Sequence, residues 1–489
     1  MLVLKFGGTS VEDAAAIRRA AAIVGNRIAQ QPVVVASALG GVTDQLAAMG
    51  AAACERRLDK ALHELGSLRE RHLNVAAELL SRRDMAVLKE HLEHEFQLLE
   101  SVLAGIAALG ELSPRTSDKL LGFGECLSTR IVSAAFRERG LRATWVDARE
   151  CIVTDNSYTH AAPLASETNL RLRRHVLPLV AAGQVPVLAG YIAATLDGTP
   201  TTLGRGGSDF TAAIVGAALD ADRIEIWTDV DGMMTADPRL CPDARSIEVI
   251  SFDEAAELAH FGAKVLHLAT VLPATEKNIP VYILNSRNPE GKGTRICKLD
   301  EAASPVVKAI TVKREVVVVD VHASAGLNPA LLRSVFEVLE EQRCPVDLVT
   351  VSRLKISFLV SSAAVVSDLA SKLNEAARVS CQENKAMVCL VGKGVGREPL
   401  LVAKLFSALP AVDVSLVSHG LSDMNLRLVV DDRVAFEVVR GLHRFFFTDD
   451  KHEGPRELAV GLAPEAGAHY PHGPVADPVV AATGVDYGH

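Results

Sequence analysis

Glycine pairs follow two short apolar segments of the chain, and a lysine precedes the first pair. The segments continue as Lys5–Ser10 (KFGGTS) and Ser37–Thr43 (SALGGVT). Glycine lets backbone N–H groups approach phosphate oxygens closely, and the ammonium of Lys5 adds a positive charge. The pattern predicts an anion site. The alternative for the first segment is a tight turn with a surface lysine, and for the second it is a simple helix cap by Thr43 or Asp44. It matches neither GxGxxG nor GxxxxGK[ST], which excludes both of those nucleotide motifs.

Two further charged side chains have surroundings that favour ligand binding. Glu125 lies in an apolar helical run, and its burial would require a cationic partner such as a substrate ammonium. Arg205 lies within Thr202–Thr211 (TLGRGGSDFT), where a guanidinium able to bind a carboxylate bidentately stands beside glycines. The alternatives are a solvated Glu125 and an ordinary helix cap by Ser208 or Asp209, which leaves Arg205 unexplained.

Polar residues also follow the apolar strand that ends near Ile226. The segment Ile226–Arg239 (IWTDVDGMMTADPR) suits a purine and ribose pocket, with Arg239 available for phosphate. Lys264, in the segment FGAKVLH, adds a lysine to the same candidate pocket. Taken alone, Lys264 is more typical of a solvated helix position.

Short apolar strands alternate with longer helical stretches over about residues 1–295. This alternation predicts βαβ units on a mainly parallel sheet, which places the motifs above at the carboxyl ends of strands. Strand patterns are missing between about 47 and 115, where Leu, Ala, Glu, Arg and His recur at helical spacing, so we expect a helical insertion there. The predicted strands are Leu2–Phe6, Pro32–Ala38, Arg142–Asp147, Val185–Gly190, Arg223–Thr228 and Pro280–Asn285.

An internal repeat follows. A helical stretch precedes Val346–Ser352 (VDLVTVS), and the same order recurs before Val412–Ser418 (VDVSLVS). Two copies of one small α+β unit are therefore expected, over residues 305–380 and 381–448.

Composition excludes several classes of protein. The 489 residues are 49% hydrophobic and 23% charged, so most of the chain is expected to fold. A net charge of −9 offers no basic footprint for nucleic acid. No long apolar run or leader pattern occurs, and the eight cysteines form no CxxC pair, which favours a cytoplasmic protein without membrane contact. Residues 450–489, rich in proline, glycine and small residues, are expected to be disordered.

In this order, the motifs resemble those of the aspartate kinases of the amino-acid-kinase superfamily. Lys5–Val11 matches the family signature KFGGTSV letter for letter. The resemblance covers about residues 1–445 and implies an α/β amino-acid-kinase fold followed by two ferredoxin-like ACT domains. The helical insertion resembles that of the monofunctional, lysine-sensitive subgroup. Further matching blocks are Phe123–Glu125, Leu127–Thr129, Gly204–Asp209, Trp227–Val230 and Phe261–His267.

The resemblance implies phosphoryl transfer from ATP to the β-carboxylate of L-aspartate, the first step toward lysine, threonine and methionine. That carboxylate is ionised at pH 7, so no general base is required. Lys5 would stabilise charge on the phosphoryl group, with Gly7 and Gly8 donating backbone N–H groups. Asp209 would orient Lys5 and the nucleotide. Mg²⁺ is expected to arrive with ATP, because no all-protein carboxylate cage is evident.

Roles at the remaining positions come from the same resemblance. Arg205, beside Gly206, would hold the substrate α-carboxylate, and Glu125 would hold its ammonium. Ser37 and Thr43 would bind the remaining polar atoms. Positions that match the family's nucleotide site are Phe6, Thr228, Asp229, Met234, Arg239 and Lys264.

The regulatory half of the resemblance implies an amino-acid effector, either lysine or threonine, and a homodimer or dimer of dimers. Asp347 and Ser352 match effector contacts, although capping of a strand end explains them equally well. Arg353 stands where the family commonly has an acidic residue, and a guanidinium facing the pocket would repel a lysine side chain. We therefore expect weak or altered lysine inhibition.

Two other functions compete with this interpretation. A different amino-acid kinase would act on N-acetylglutamate, glutamate or a nucleotide, but Glu125 with Arg205 favours a free α-amino acid. A non-catalytic amino-acid sensor would use only the ACT repeat. That function predicts loss of the kinase charges, whereas Lys5 and Asp209 are both present.

Overall fold

The computed structural model describes residues 1–261, 268–299, 307–373, 376–396, 401–409, 412–419 and 422–448. Lys264 and the predicted disordered tail lie outside these residues. The strands up to residue 299 are β1 (Leu2–Phe6), β2 (Pro32–Ala36), β3 (Ala143–Val146), β4 (Val153–Thr154), β5 (Val185–Ala189), β6 (Ile192–Thr195), β7 (Pro200–Thr202), β8 (Arg223–Thr228), β9 (Val249–Ser251), β10 (Val281–Asn285) and β11 (Thr294–Cys297).

The helices of this N-terminal part flank its strands. They are α1 (Ala14–Gly25), α2 (Val42–Cys54), α3 (Leu58–Leu79), α4 (Arg82–Leu109), α5 (Pro114–Leu121), α6 (Phe123–Glu138), α7 (Ala148–Cys151), α8 (Ala165–Ala181), α9 (Gly207–Ala218), α10 (Phe252–His260) and α11 (Leu272–Glu276).

An eight-stranded sheet forms the centre of the N-terminal part, in the order β3-β5-β2-β1-β8-β10-β11-β9. Its strands pair in parallel except for the antiparallel β10–β11 pair. β1, β2 and β5 are buried along their whole length, which explains their continuous apolar sequences. The predicted mainly parallel α/β fold is confirmed. Helices α2 to α5 follow one another from Val42 to Leu121 with no strand between them, around the range of about 47–115 that was expected to be a helical insertion.

The middle position of β1 determines where the chemistry can occur. Phe6 at the end of β1 lies opposite Ala36 of β2 on one side and Trp227 of β8 on the other. The residues that follow these three strands therefore meet at one edge of the sheet. In parallel sheets, ligands bind at this carboxyl edge, next to the strand at which the strand order reverses direction.

A second sheet forms the C-terminal part, in the order β13-β14-β12-β15-β17-β16. Its elements are β12 (Ala309–Ala323), α12 (Pro329–Glu341), β13 (Leu348–Val351), β14 (Lys355–Val360), α13 (Ala364–Leu373), β15 (Ala377–Val391), α14 (Leu401–Ala408), β16 (Val414–Ser418), β17 (Asn425–Asp431) and α15 (Ala435–His443).

The two long strands β12 and β15 belong to both repeats. Residues 317–322 of β12 pair with β14, whereas residues 309–313 pair with the second half of β15, which in turn pairs with β17. Each repeat thus has four antiparallel strands in ferredoxin-like order. Residues 309–313 lie at the start of the first repeat along the chain. In the folded sheet, however, they form the fourth strand of the second repeat, next to β15.

Hydrogen bonds join the C-terminal part to the N-terminal part, and two of them have main-chain donors in the C-terminal part. The N–H of Ile310 donates to the carbonyl of Thr235 over 2.8 Å, and the N–H of Lys393 donates to the buried carboxylate of Glu254 over 2.8 Å. Thr235 lies in the loop after β8, and Glu254 lies in the first turn of α10. The C-terminal part is therefore in direct contact with the loop that carries the predicted nucleotide residues.

The sharing of β12 leads to a stability prediction. Ile310 packs with Leu390 and Leu426 in the core of the second repeat, so Ile310→Ala should cost about 2–5 kcal/mol there. Hydrogen exchange should rise in α14 and α15 and remain unchanged in α12. The matched variant Val317→Ala, seven positions along the same strand but in the core of the first repeat, should show the reverse pattern. Equal effects of the two variants on both repeats would contradict the assignment.

Candidate active site

A buried ion pair joins Lys5 and Asp209 at the carboxyl end of β1. The Nζ of Lys5 lies 2.6 Å from Oδ1 of Asp209, and Lys5 is only 8% exposed. β1 positions the lysine, and the first turn of α9 positions the carboxylate, where the helix dipole favours negative charge. The structure thus brings together the two predicted catalytic residues, with a cation held where a phosphoryl group could reach it.

The two predicted glycine loops are neighbours. A Cβ on Gly8 would lie 3.4 Å from the carbonyl oxygen of Ala38 and from Cα of Gly40, so the loops after β1 and β2 pack backbone against backbone. The N–H of Gly7, however, donates to the carbonyl of Trp227 over 3.0 Å. The expectation that both Gly7 and Gly8 donate to phosphate is corrected to Gly8, because the Gly7 donor is already used.

A hydroxyl network that sequence reasoning missed supports the first loop. The Oγ of Ser10 lies 3.1 Å from the carbonyl oxygen of Trp227 and 2.8 Å from the hydroxyl of Ser286. The N–H of Ser286 donates to the carbonyl of Thr228 over 2.8 Å. The ends of β1, β8 and β10 are thereby tied together below the Lys5 ammonium.

Glu125 is buried, and only one of its two carboxylate oxygens accepts a hydrogen bond from the part of the chain that the structure describes. Its Oε1 accepts the N–H of Ala38 over 3.3 Å, whereas its Oε2 has no hydrogen-bond partner among the described residues. Burial raises the pKa of Glu125 to about 8. Thr129 fixes this turn of α6 by donating to the Glu125 carbonyl over 2.7 Å while accepting from Nε1 of Trp145. An oxygen left in this state is suited to a cationic ligand.

Ser37 lies in the loop after β2, and Thr43 lies in the helix that follows this loop. The N–H of Ser37 donates to the carbonyl of Phe6 over 3.1 Å, and the carbonyl of Ser37 accepts the hydroxyl of Ser128 over 2.5 Å. Thr43 is half-buried in the first turn of α2. The predicted substrate side therefore lies between β1 and α6.

Arg205 is exposed, on a loop whose base is fixed by a carboxylate that sequence reasoning did not identify. The two flanking glycines, Gly204 and Gly206, adopt φ values of +75° and +71°, which disfavour other residues. Asp118, almost fully buried, accepts the Thr202 hydroxyl over 2.6 Å and the N–H groups of Thr159 and Thr202. Within the described residues no ion pair engages the Arg205 guanidinium, which leaves it available to a carboxylate.

The predicted nucleotide residues differ in how exposed their side chains are and in which partners they already have. Thr228 ends β8, and its hydroxyl lies 3.2 Å from the exposed carboxylate of Asp229. Met234 is half-buried. Arg239 is 89% exposed and already paired with Asp237.

Phe6 is a correction to the predicted nucleotide contacts. Its side chain is fully buried and stacks against Trp227, with ring centroids 6.4 Å apart. Only the main chain of Phe6 can therefore face a ligand.

A cavity of about 220 Å³ lies beside the end of β10. Asn285, the last residue of β10, lies opposite Thr228 and donates from Nδ2 to Asp231 over 2.8 Å. The pocket is suited to a polar ligand next to the Thr228 side of the site. Asp231 and Asn288 follow the ends of β8 and β10, the signal that could have identified them, whereas Ser246 and Glu248 precede β9. Its lining consists of Asp231, Ser246, Glu248, Asn285, Asn288, Gly291, Lys292 and Gly293.

The predicted effector residues are engaged within the protein. The carboxylate of Asp347 is paired with Nζ of Lys313, and Nε2 of His260 lies 3.7 Å from it. The hydroxyl of Ser352 donates to the carbonyl of Lys355 over 3.1 Å and accepts the N–H of the same residue. In this structure Ser352 caps the β13–β14 turn.

The described residues contain no group of three or more His, Cys, Asp or Glu side chains that could hold a metal ion. Among them, no helix has both the length and the apolar character needed to cross a membrane.

Comparison with known proteins identifies the relatives of this chain. The sequence model of the amino acid kinase family matches residues 1–285. Aspartokinase 2, chloroplastic, of Arabidopsis thaliana is 35% identical over 92% of this chain and 84% of its own. Lysine-sensitive aspartokinase 3 of Escherichia coli (strain K12) is 35% identical over 91% of this chain and 99% of its own. The crystal structure of E. coli aspartokinase III in complex with aspartate and ADP (R-state) superposes with a TM-score of 0.77 at 31% identity, covering 91% of this chain and all of that one.

The burial of Glu125 leads to a pH prediction. Its pKa of about 8 in the folded protein lies above the ordinary glutamate pKa of 4.5, so between these values the folded state holds a proton that the unfolded state has released. The free energy of unfolding should therefore fall, relative to the Glu125→Gln variant, by about 1.4 kcal/mol for each unit of pH rise in this window. Below and above this pH window, the difference in free energy of unfolding between the parent and the Glu125→Gln variant should be constant.

Urea denaturation of both proteins across pH 4.5–9 measures this difference. Glu90→Gln, at an exposed position on α4, is the matched control and should follow the parent at every pH. Parallel stability curves for the parent and Glu125→Gln would show that the carboxyl group is not buried as described.

Proposed function

The chain belongs to the amino acid kinase family and is an aspartate kinase, and from this premise we propose how its residues phosphorylate the β-carboxylate of L-aspartate. The observation that carries the proposal is the buried Lys5–Asp209 pair at the central strand, with a free carboxylate oxygen on Glu125 to one side. The β8–β10 end lies on the other side. The sheet edge thus offers two half-sites that meet at one cation.

The reaction requires charge neutralisation and positioning. The acceptor carboxylate is ionised at pH 7, so it attacks the γ-phosphorus of ATP in line without a general base. One P–O bond forms to aspartate and the bond to ADP breaks. Lys5 stabilises the charge on the equatorial oxygens, and the N–H of Gly8 adds a donor without reorganisation.

Asp209 acts as a positioning residue in this proposal. Its carboxylate holds the Lys5 ammonium at 2.6 Å, at the N-terminal end of α9. Mg²⁺, bound by the ATP phosphates, supplies further positive charge to the transferring group. Because Asp209 is already paired with Lys5, the phosphates provide the main ligands of the ion.

Aspartate binds between α6 and the β7–α9 loop. Oε2 of Glu125 accepts the substrate ammonium, and Arg205, beside Gly206, grips the α-carboxylate bidentately. Ser37 and Thr43 bind the remaining polar atoms. An ammonium placed against Glu125 favours the ionised carboxylate, so substrate binding at pH 7 lowers a pKa that burial raises to about 8 in the free enzyme.

ATP binds toward β8 and β10. Thr228, Asp229 and Met234 contact the base and ribose, with Lys264 contributing from the segment after α10. Arg239 reaches phosphate by exchanging its exposed Asp237 partner for the ligand, at little cost because exposed pairs are weak. Support comes from the neighbouring cavity of about 220 Å³.

The first test is ADP release with Mg²⁺-ATP and L-aspartate. Lys5→Ala should lower kcat by about 10²- to 10³-fold, because a preorganised charge is removed from the transition state. Lys89→Ala, at an exposed lysine on α4, is the matched control and should leave kcat unchanged. ADP release that aspartate does not stimulate, or that N-acetylglutamate or glutamate stimulates more, would contradict the proposal.

Regulation involves the C-terminal sheet. We propose that the effector is lysine or threonine, bound near Asp347 and Ser352 of the first repeat, and that lysine acts weakly. The Asp347 carboxylate is already paired with Lys313, so an incoming ammonium must compete with an internal one. Arg353, exposed at the β13–β14 turn, adds like charge.

Replacing that charge should strengthen lysine inhibition. Arg353→Glu is expected to lower the half-inhibitory lysine concentration by about tenfold, which corresponds to a modest coupling energy. The control Arg333→Glu, at an exposed position on α12, should leave inhibition by lysine unchanged. Titration of ADP release with lysine and threonine provides the measurement. Half-inhibition of the unmodified enzyme at low lysine concentration would contradict weak lysine action.

Assembly, domain limits and location complete the proposal. A kinase domain spans residues 1–295. In sequence the ACT units span 305–380 and 381–448, except that residues 309–313 complete the sheet of the second unit and residues 381–382 pair within the first. A homodimer or dimer of dimers is supported by β13, an edge strand with the exposed side chains Val351 and Leu354 nearby. A cytoplasmic location is supported by eight cysteines that are all unpaired, as is typical of reducing compartments.

A further inference from the structure

We propose that a second ligand site, for a small organic carboxylate with an apolar body, lies between α4 and α6, away from the Lys5–Asp209 centre. A cavity of about 310 Å³ separates the first turns of α4 from α6 and the edge strand β3. This α4–α6 cavity shares no lining residue with the aspartate or nucleotide half-sites. It is lined by Asp84, Val87, Leu88, His91, Arg130, Ser133, Ala134, Arg137 and Trp145.

The guanidinium of Arg130 is the main reason to expect an anion. Its Nε is buried and has no hydrogen-bond partner among the described residues, and its ion pair with Glu95 is long, at 3.6 Å. The Cζ of the group lies over the indole ring of Trp145, 3.9 Å from the ring centroid. Stacking fixes the plane of the guanidinium but satisfies none of its N–H donors, so the donors stay available to a carboxylate.

A second guanidinium, that of Arg137, lies seven residues or about two turns further along α6. Nη1 of Arg137 donates to the hydroxyl of Ser133 over 3.0 Å, which holds the side chain along the cavity wall while its other donors stay exposed. Opposing these two cations, the lining has one carboxylate, Asp84, which lies in the first turn of α4. Among the charged lining residues two guanidinium groups thus stand against one carboxylate, with Glu95 outside the lining at 3.6 Å from Arg130. This modest excess of positive charge matches a monoanion better than a phosphate dianion.

The remaining walls are apolar and determine the body of the ligand. Val87, Leu88, Ala134 and the Trp145 ring border the cavity, and Val87 is 60% exposed although it is a large aliphatic residue. An apolar group bound against them would remove this surface from water. The combination of paired guanidinium groups and apolar walls is characteristic of sites for small organic acids.

Phenylacetate is the probe, because it joins one carboxylate to one flat apolar body. Trp145 lines the cavity whereas Trp227, the other tryptophan, is fully buried elsewhere, so intrinsic fluorescence reports on occupancy. Saturable quenching is expected in the full-length protein and should be lost in Trp145→Phe. The uncharged isostere phenylacetamide should bind at least tenfold more weakly, and inorganic phosphate should also bind more weakly than phenylacetate.

Val87→Glu places a negative charge at the cavity mouth on an exposed position, so folding is little affected. It should weaken phenylacetate binding by about tenfold or more through charge repulsion. Leu98→Glu, also exposed on α4 but outside the lining, is the matched control and should bind like the parent. No saturable quenching at millimolar phenylacetate, equal binding of phenylacetamide, tighter binding of phosphate, or an unaffected Val87→Glu variant would each overturn the proposal.

Discussion

Burying the Lys5 ammonium beside the Asp209 carboxylate costs desolvation free energy, and the surrounding structure offsets that cost. Such a pair is stable only with close geometry and additional favourable charge. β1 supplies the geometry, because its pairing with β2 and β8 on both sides leaves its last residues little freedom. The N-terminus of α9 supplies charge, since Asp209 lies in its first turn, where the helix dipole is positive. The pair therefore depends on the central strand and on one helix end.

Main-chain hydrogen bonds also fix the loops that face substrate to the neighbouring strands. Gly7 is bonded to Trp227 and Ser37 to Phe6, so each loop is held by the strand next to its own. Side-chain hydroxyls of Ser10 and Ser286 then join the β8 and β10 ends to the first loop. Preorganised donors of this kind cost no rearrangement when charge develops, which is the condition for electrostatic catalysis.

Strand runs and polar residues at strand ends were predictable from sequence, because a buried parallel strand reads as a continuous apolar segment and its carboxyl end is where ligands bind. Lys5 follows from that logic, whereas Glu125 was identified as a charged residue in an apolar helical segment and Asp209 as a residue at the start of a helix. Whether a backbone donor is already used, as at Gly7, depends on a partner 220 residues away and leaves no local signal. Asp118 was missed for the same reason, because its partners at Thr159 and Thr202 are distant in sequence.

The sharing of β12 by both repeats constrains the order in which the nascent chain can fold. Residues 309–313 leave the ribosome well before their partners, since Lys313 pairs with Met387 and Ala309 with Val391. At typical rates of synthesis this segment waits roughly 4 to 15 s with an unpaired apolar edge. The first repeat can close as soon as residues 377–382 emerge, whereas the second must recruit a strand made earlier. A pause in translation between the repeats would therefore lengthen the interval in which that edge is open to association with another chain.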